Sequence, residues 1–278
     1  NLINIENDDK VKAFICTQDL RDEEYIKNHF IVMCTKLGQV KKTGLDQYSR
    51  PRQNGINAIT IKDGDELLEA KLTDGNSKVL VAARNGKMVR FDESKTRPMG
   101  RTASGVRGIK LADEKDEVIG LVTVSDLSSE ILVVSENGYG KRSSLDAYRE
   151  TNRGGKGVKA MNITDKTGAL ISINSVTDND DLMIINKSGL TIRLRVSDLR
   201  VMGRNTQGVR LINIKGNDSI AAVAKVMRDE DEEVEIDEEL LKDLLAVDEN
   251  DILEDVVDEA EDEEDDIEVE DEDDTNEE

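Results

Sequence analysis

A short apolar run, a glycine turn and a cluster of bases recur four times in this chain. The turn glycines Gly38, Gly86, Gly138 and Gly189 stand 48, 52 and 51 residues apart. Such a period constrains the fold more than any composition does, because each repeat must bury its apolar face against its neighbours. The runs are Ile31–Cys34, Val79–Ala82, Ile131–Val134 and Leu182–Ile185. A second glycine, Gly55, Gly105, Gly157 or Gly208, follows at spacings of 50, 52 and 51. An arginine-bearing loop precedes it, and a strand-like stretch such as Gly105–Ile109 or Gly208–Ile212 comes after it. Each repeat closes on an acidic turn and another apolar run: Leu67–Ala70, Val118–Leu121, Leu170–Ile173 or Ile220–Val223.

Each repeat therefore reads as strand, glycine turn, strand, loop, strand, turn, strand. Asn85-Gly86 and Asn137-Gly138 predict hairpins with type I′ turns. Four strands in about fifty residues make one propeller blade. Helical periodicity is nearly missing before residue 229, which excludes a helical solenoid. An ordinary β-sandwich also has short strands, but the regular glycine register argues against it. The expected fold is all-β: a propeller-like array of four complete four-stranded blades and one partial blade. The expected boundaries are a partial blade and polar insertion at 1–30, blades at 31–76, 77–128, 129–178 and 179–227, and a tail at 228–278. Leu2–Ile5 and Val11–Ile15 match the closing half of a unit whose first half is missing, and Gln18–His29 is a polar insertion. With no initiator Met and an opening in mid-pattern, the chain reads as the C-terminal part of something longer. An array cut in this way would expose a blade edge, which invites self-pairing.

The net charge of −23 hides two opposed segments. Residues 229–278 hold 31 acids and one lysine, and the preceding 228 residues hold 30 acids and 37 bases, a charge of +7. A basic repeat body tethered to an acidic tail points to a polyanionic partner, with duplex DNA foremost. The tail composition predicts disorder, with a transient helix over Leu240–Leu245. Its expected roles are solubility, or competition with DNA for the basic surface at high local concentration.

No catalytic constellation is present. One histidine rules out His-based triads and multi-His metal sites. Asp178–Asp181 lacks the calcium-loop pattern and reads as a solvated turn. Cys16 and Cys34 have no metal-ligand spacing and read as buried thiols. No apolar stretch reaches the roughly 20 residues of a membrane span. Stacking on single-stranded nucleic acid has few candidates, namely Tyr48, Tyr139 and Tyr148. Arg153–Gly157 (Arg-Gly-Gly-Lys-Gly) is not a nucleotide phosphate loop, because no Ser/Thr follows the lysine. Its glycines would instead let backbone approach a phosphate, with Arg153, Lys156 and Lys159 supplying charge.

Several stretches resemble the C-terminal domain of the bacterial DNA gyrase A subunit. They are Gly38–Thr43, Arg97–Thr102 with Gly105–Lys110, Asn137–Arg142, and Val201–Val209. The resemblance runs from residue 1 to about 227 in blade order, and an acidic tail is typical there too. It implies a β-pinwheel whose blades exchange strands and whose basic outer rim wraps double-stranded DNA without catalysing a reaction itself. In that family the wrapping supports ATP-dependent negative supercoiling by a type II topoisomerase whose catalytic tyrosine domain is absent here. The implied cofactors are none in this chain, with ATP and Mg2+ on other domains. The implied partners are duplex DNA, the rest of the gyrase A subunit, and the gyrase B subunit in an A2B2 assembly in the bacterial cytoplasm, near the nucleoid. The implied DNA contacts are Lys41, Lys42, Arg50, Arg52, Arg90, Arg97, Arg101, Lys141, Arg142, Arg153, Lys156, Arg193, Arg195 and Arg204. The family pinwheel has six blades and carries its wrapping box, Gln-Arg-Arg-Gly-Gly-Lys-Gly, on the first. Here Thr151 and Asn152 precede Arg153–Gly157 on a later blade. The matching domain of topoisomerase IV and a propeller serving protein partners are the alternatives. The last predicts little salt dependence.

Overall fold

The computed structural model describes residues 9–52, 54–214 and 218–227. The tail and Leu2–Ile5 lie outside the described residues.

After a six-residue helix α1 (Glu23–Asn28), the first unit supplies β1 (Phe30–Thr35), β2 (Gln39–Gly44) and β3 (Leu67–Thr73). The second supplies β4 (Lys78–Ala83), β5 (Lys87–Asp92), β6 (Val106–Arg107) and β7 (Val118–Val124). The third has β8 (Glu130–Ser135), β9 (Tyr139–Ser144), β10 (Val158–Lys159) and β11 (Leu170–Val176). The fourth has β12 (Asp180–Asn186), β13 (Thr191–Arg195), β14 (Val209–Arg210) and β15 (Ile220–Met227). A 3-10 turn follows the second strand of every unit, at Leu45–Tyr48, Glu93–Lys95, Leu145–Ala147 and Val196–Asp198.

The sheets do not coincide with the units. Their strand orders are β3-β1-β2-β6, β7-β4-β5-β10, β11-β8-β9-β14 and β15-β12-β13. Each hairpin thus takes its outer edge strand from the next unit. All pairings in these ladders are antiparallel. At the opposite edge, β3, β7, β11 and β15 neighbour one another in turn. The all-β array of four-stranded blades anticipated from the glycine register is present. The fourth sheet holds three strands among the described residues.

The core lies between blades rather than inside them. Val32, Val40, Val81, Phe91 and Ile109 form the layer shared by the first and second blades. Leu80, Met88, Ile131, Val133, Tyr148 and Met161 form the second layer. Leu132, Leu182, Ile184, Val196, Leu211 and Ile212 form the third. Aromatics are scarce, so β-branched and aliphatic side chains do this packing. The first blade's other face is covered by Ala13, Ile15, Leu20, Tyr25 and Ile26.

Three expectations change here. The hairpin turns are not type I′, since no non-glycine residue has positive φ. Instead the glycine N–H donates to the carbonyl three residues earlier, as Gly86 does to Ala83 and Gly138 to Ser135. The glycine alone is left-handed, at φ 85° and 86° respectively, as in a three-residue loop closed by a G1 bulge. Val11–Ile15 forms no strand, having no hairpin to pair with among the described residues. The polar insertion contains α1, started by Asp22, whose side chain accepts from the N–H groups of Glu24 and Tyr25. Finally, Cys16 is exposed, while Cys34 is buried and its thiol is pushed well above the ordinary range by desolvation.

The second glycine of each unit explains the strand exchange. A Cβ on Gly105 would stand 2.7 Å from the Val40 carbonyl oxygen, on Gly157 2.6 Å from that of Met88, and on Gly208 2.5 Å from that of Gly140. Each lies against the preceding blade's hairpin, where only glycine permits the approach. Gly55 has no such neighbour and meets nothing within 4 Å.

Candidate nucleic-acid interface

The cations divide into two groups. Lys41, Lys42, Arg90, Lys141 and Arg142 are buried, which corrects the expectation that they contact a ligand on the outer surface. They sit on β2, β5 and β9, each flanked by its hairpin partner and an exchanged strand. Lys42 Nζ pairs with Glu93 Oε1 at 2.8 Å and lies 4.1 Å from the Phe30 ring centroid. Arg90 Nη1 donates to the carbonyls of Leu145 and Tyr148 at 2.8 and 2.9 Å. Arg142 Nε donates to the Leu199 carbonyl at 2.6 Å, and its Nη1 pairs with Glu130 and Asp178. These three occupy one register position, opposite Val32, Leu80 and Leu132. Lys42 and Arg90 spend their charge on the next unit's 3-10 segment, whereas Arg142 divides its own between the residue closing that segment, Leu199, and the carboxylates of Glu130 and Asp178.

Lys41 Nζ donates to the carbonyls of Ala58 and Arg101, and Lys141 Nζ to those of Gly203 and Arg204 and to Thr206 Oγ1. Burial, with the Arg101 guanidinium nearby, lowers the Lys41 pKa to about 8.

Of the remaining predicted cations, Arg193 and Arg195 are on β13 and the others are on loops. Arg50, Arg52 and Arg97 are exposed; Arg101, Arg153, Lys156, Arg193, Arg195 and Arg204 are half-buried. Arg193 Nε is bonded to Asp181 Oδ2 at 2.9 Å within its own blade. Arg101, Arg153 and Arg204 form a row, each four residues before the second glycine of its unit. Arg101 Nη1 donates to the Asn57 carbonyl, Arg153 Nη1 to that of Arg107, and Arg204 Nη1 to that of Lys159. All three acceptors lie two residues after the second glycine of the preceding unit, so the contact repeats at every junction described.

Loop 153–157 ties into the preceding unit by main-chain bonds. Gly154 N–H donates to the Gly108 carbonyl at 2.7 Å, and Lys110 N–H to that of Gly155 at 2.8 Å. Arg153 Nε reaches the Lys95 carbonyl at 3.1 Å. This brings exposed Lys95, Arg107 and Lys110 beside Arg153 and Lys156. Lys95, Arg107 and Lys110 were missing from the sequence-based set. Strand alternation was the available signal, since Arg107 follows inward-leaning Val106 on an edge strand.

The tyrosines offer no stacking platform. Tyr148 is fully buried and its pKa rises to about 12 through desolvation, Tyr139 is buried, and Tyr48 is half-buried. Asp180 and Asp181 are also buried, and Asp180 Oδ2 accepts from Thr177 N–H. No group of metal-binding side chains occurs among the described residues. None of the described helices is long and apolar enough to cross a membrane.

Propeller-type blades joined by exchanged edge strands, with cationic loops leading into those strands, define a β-pinwheel. The family model described as "DNA gyrase C-terminal domain, beta-propeller" matches residues 29–74, 77–125, 129–177 and 180–227. The chain belongs to this family. The DNA gyrase A subunit of Staphylococcus aureus strain MRSA252 is 44% identical over 236 residues, covering 84% of this chain and 26% of that protein. Its counterpart from strain NCTC 8325 / PS 47 is 43% identical over 240 residues, 86% and 26% respectively. The chain thus spans about a quarter of the length of these relatives. Among solved structures, a DNA gyrase A C-terminal domain matches with a TM-score of 0.71 at 23% identity, over 81% of this chain and 73% of that one. The C-terminal domain of a DNA topoisomerase IV matches with 0.68 at 25% identity, over 72% and 62%.

Proposed function

We propose that this chain is the DNA-wrapping module of a DNA gyrase A subunit. The observation that carries this reading is the row Arg101, Arg153 and Arg204, repeated at equivalent junctions and joined at the middle one by Lys95, Arg107, Lys110 and Lys156. Regularly spaced cations without aromatic platforms suit a bent duplex held by its phosphates and read without base contacts. Arg50, Arg52, Arg97 and Arg195 extend the same surface. The module catalyses nothing itself and carries no cofactor. It serves ATP-dependent negative supercoiling by a cytoplasmic, nucleoid-associated A2B2 holoenzyme whose ATP and Mg2+ sit on other domains. The acidic tail competes with DNA for the cationic loops.

The test is duplex affinity against salt, for the whole chain and for a form ending at residue 228. A steep salt dependence, stronger binding in the short form, and a slope reduced by about 0.9 for each phosphate contact removed in R107A/K110A/R153A are expected. Salt-insensitive or absent binding in both forms would refute the reading. The likeness to the topoisomerase IV domain favours a second assignment, to the corresponding chain of that enzyme. Introduction of negative supercoils by the reconstituted holoenzyme selects gyrase, whereas relaxation alone selects topoisomerase IV.

A further inference from the structure

Two lysines are buried without any use in the DNA contact proposed above. Lys41 and Lys141 occupy one register position, opposite Met33 and Val133. Val89, opposite Val81, fills that position in the second blade. The loops facing the two lysines share a sequence, Met99-Gly100-Arg101 and Met202-Gly203-Arg204, whereas the loop facing Val89 reads Thr151-Asn152-Arg153. The lysine and the Met-Gly-Arg loop therefore occur together, although they lie in different units, 60 and 63 residues apart.

The geometry of the two pairs is the same. Each lysine donates to the carbonyl of the row arginine itself, Arg101 or Arg204. The residue after each lysine accepts from the loop methionine, as Met99 N–H donates to the Lys42 carbonyl and Met202 N–H to that of Arg142, both at 2.8 Å. Each loop then turns back on itself, with Ala103 N–H donating to the Gly100 carbonyl and Thr206 N–H to that of Gly203. The loop is thus held at both ends, with the arginine main chain between the two fastenings.

We infer that Lys41 and Lys141 are positioning residues for DNA binding: each fixes the backbone of its row arginine from the preceding blade, so that the guanidinium is pre-set for a phosphate. A buried lysine is a costly fastening unless its donors are used; Lys141 spends three contacts on that one loop, and Lys41 one on it and one on the Ala58 carbonyl of its own unit. Pre-setting cuts the ordering cost of the contact. The middle arginine, Arg153, takes its place without a lysine: Thr151 N–H donates to the Arg90 carbonyl at 2.8 Å as the two methionines do to theirs, and the Gly154 and Gly155 main chain supplies the other fastening. This rests on the DNA-contact reading above.

The experiment is a double-mutant cycle on the whole chain, reading duplex affinity and its salt slope. K41M/K141M should lower the slope by about 1.8, one phosphate contact per arginine, as R101A/R204A does. Combining the two pairs should add nothing further, while R153A should keep its full effect in either background. A general loss of folding would abolish the R153A effect too, so that arm separates positioning from collapse. If K41M/K141M does not fold, T206V, which removes one acceptor of Lys141, should shrink the effect of R204A and spare that of R101A. An unchanged slope in folded K41M/K141M, or full additivity with R101A/R204A, would overturn the inference. Absence of DNA binding by the unaltered chain would instead overturn the function it rests on.

Discussion

The first and second junctions between blades solve one problem with different chemistry. At the first, Lys42 meets Glu93, a carboxylate standing where the other units bury Leu45, Leu145 and Val196. Thr73 Oγ1 and Ser77 N–H also donate to that carboxylate. At the second, Arg90 Nη1 donates to the Leu145 and Tyr148 carbonyls, and the carboxylate of the same 3-10 segment, exposed Asp146, stands 3.7 Å away rather than being buried against it. The fourth unit has Leu194 at this position, opposite Leu182, and no following unit is described there. A cation is therefore used where a neighbouring unit offers an acceptor. The lesson is that charge in these hairpins is mortar between blades before it is surface.

The largest expected effect comes from breaking the ionic junction. E93Q leaves Lys42 buried without its countercharge and should destabilise the fold by about 3–5 kcal/mol in urea unfolding. K42M/E93L, which imitates the apolar position of the other units, should recover most of that loss. No recovery would mean that the junction depends on the ion pair rather than on filling its space. R90M should cost less, about 2 kcal/mol, since two buried carbonyls lose a charged donor but no buried charge is left unpaired. A loss as large as that of E93Q would erase the distinction between the junctions.

A smaller effect sharpens the contrast between a glycine packed at a junction and one in open space. G105A forces a Cβ towards Val40 and should cost about 2 kcal/mol, whereas G55A, with open space, should cost about 1 from its positive φ alone. Equal losses would show that backbone conformation, not the close approach, demands glycine. The smallest effect is in pH. Lys41 titrates at about 8 when folded against an ordinary 10.5. The folded chain therefore binds fewer protons than the unfolded chain between these values, and stability rises with pH across that window. K41M should lack this rise, which a comparison of melting temperatures at pH 8 and 10 would detect. Parallel curves would place the Lys41 titration elsewhere.

Much of the architecture was legible in the chain. The two glycine series, the apolar runs and the turn-flanked hairpins are local features, and local sterics decide them. Gly38, Gly86, Gly138 and Gly189 mark the turns because left-handed backbone costs glycine little. The arginine row was legible too, through its constant distance from the second glycine. The fate of the other bases was not. Lys41 and Arg97 look alike as text, yet one is buried and the other exposed. Whether a strand lysine meets solvent depends on which strand pairs beside it, and that strand belongs to another unit. Arg107 went unnoticed for the same reason, since its edge position arises only once β6 leaves its own unit to pair with β2.

By itself, then, the sequence determined the period, the blade-forming strands and the loops that carry arginine, because these follow from residue-level conformational preference and apolar patterning. Only the tertiary structure decided which charges hold the blades together and which face outwards. That choice depends on desolvation and on acceptors some 50 to 60 residues away in the chain, which a neighbouring blade alone can bring within reach.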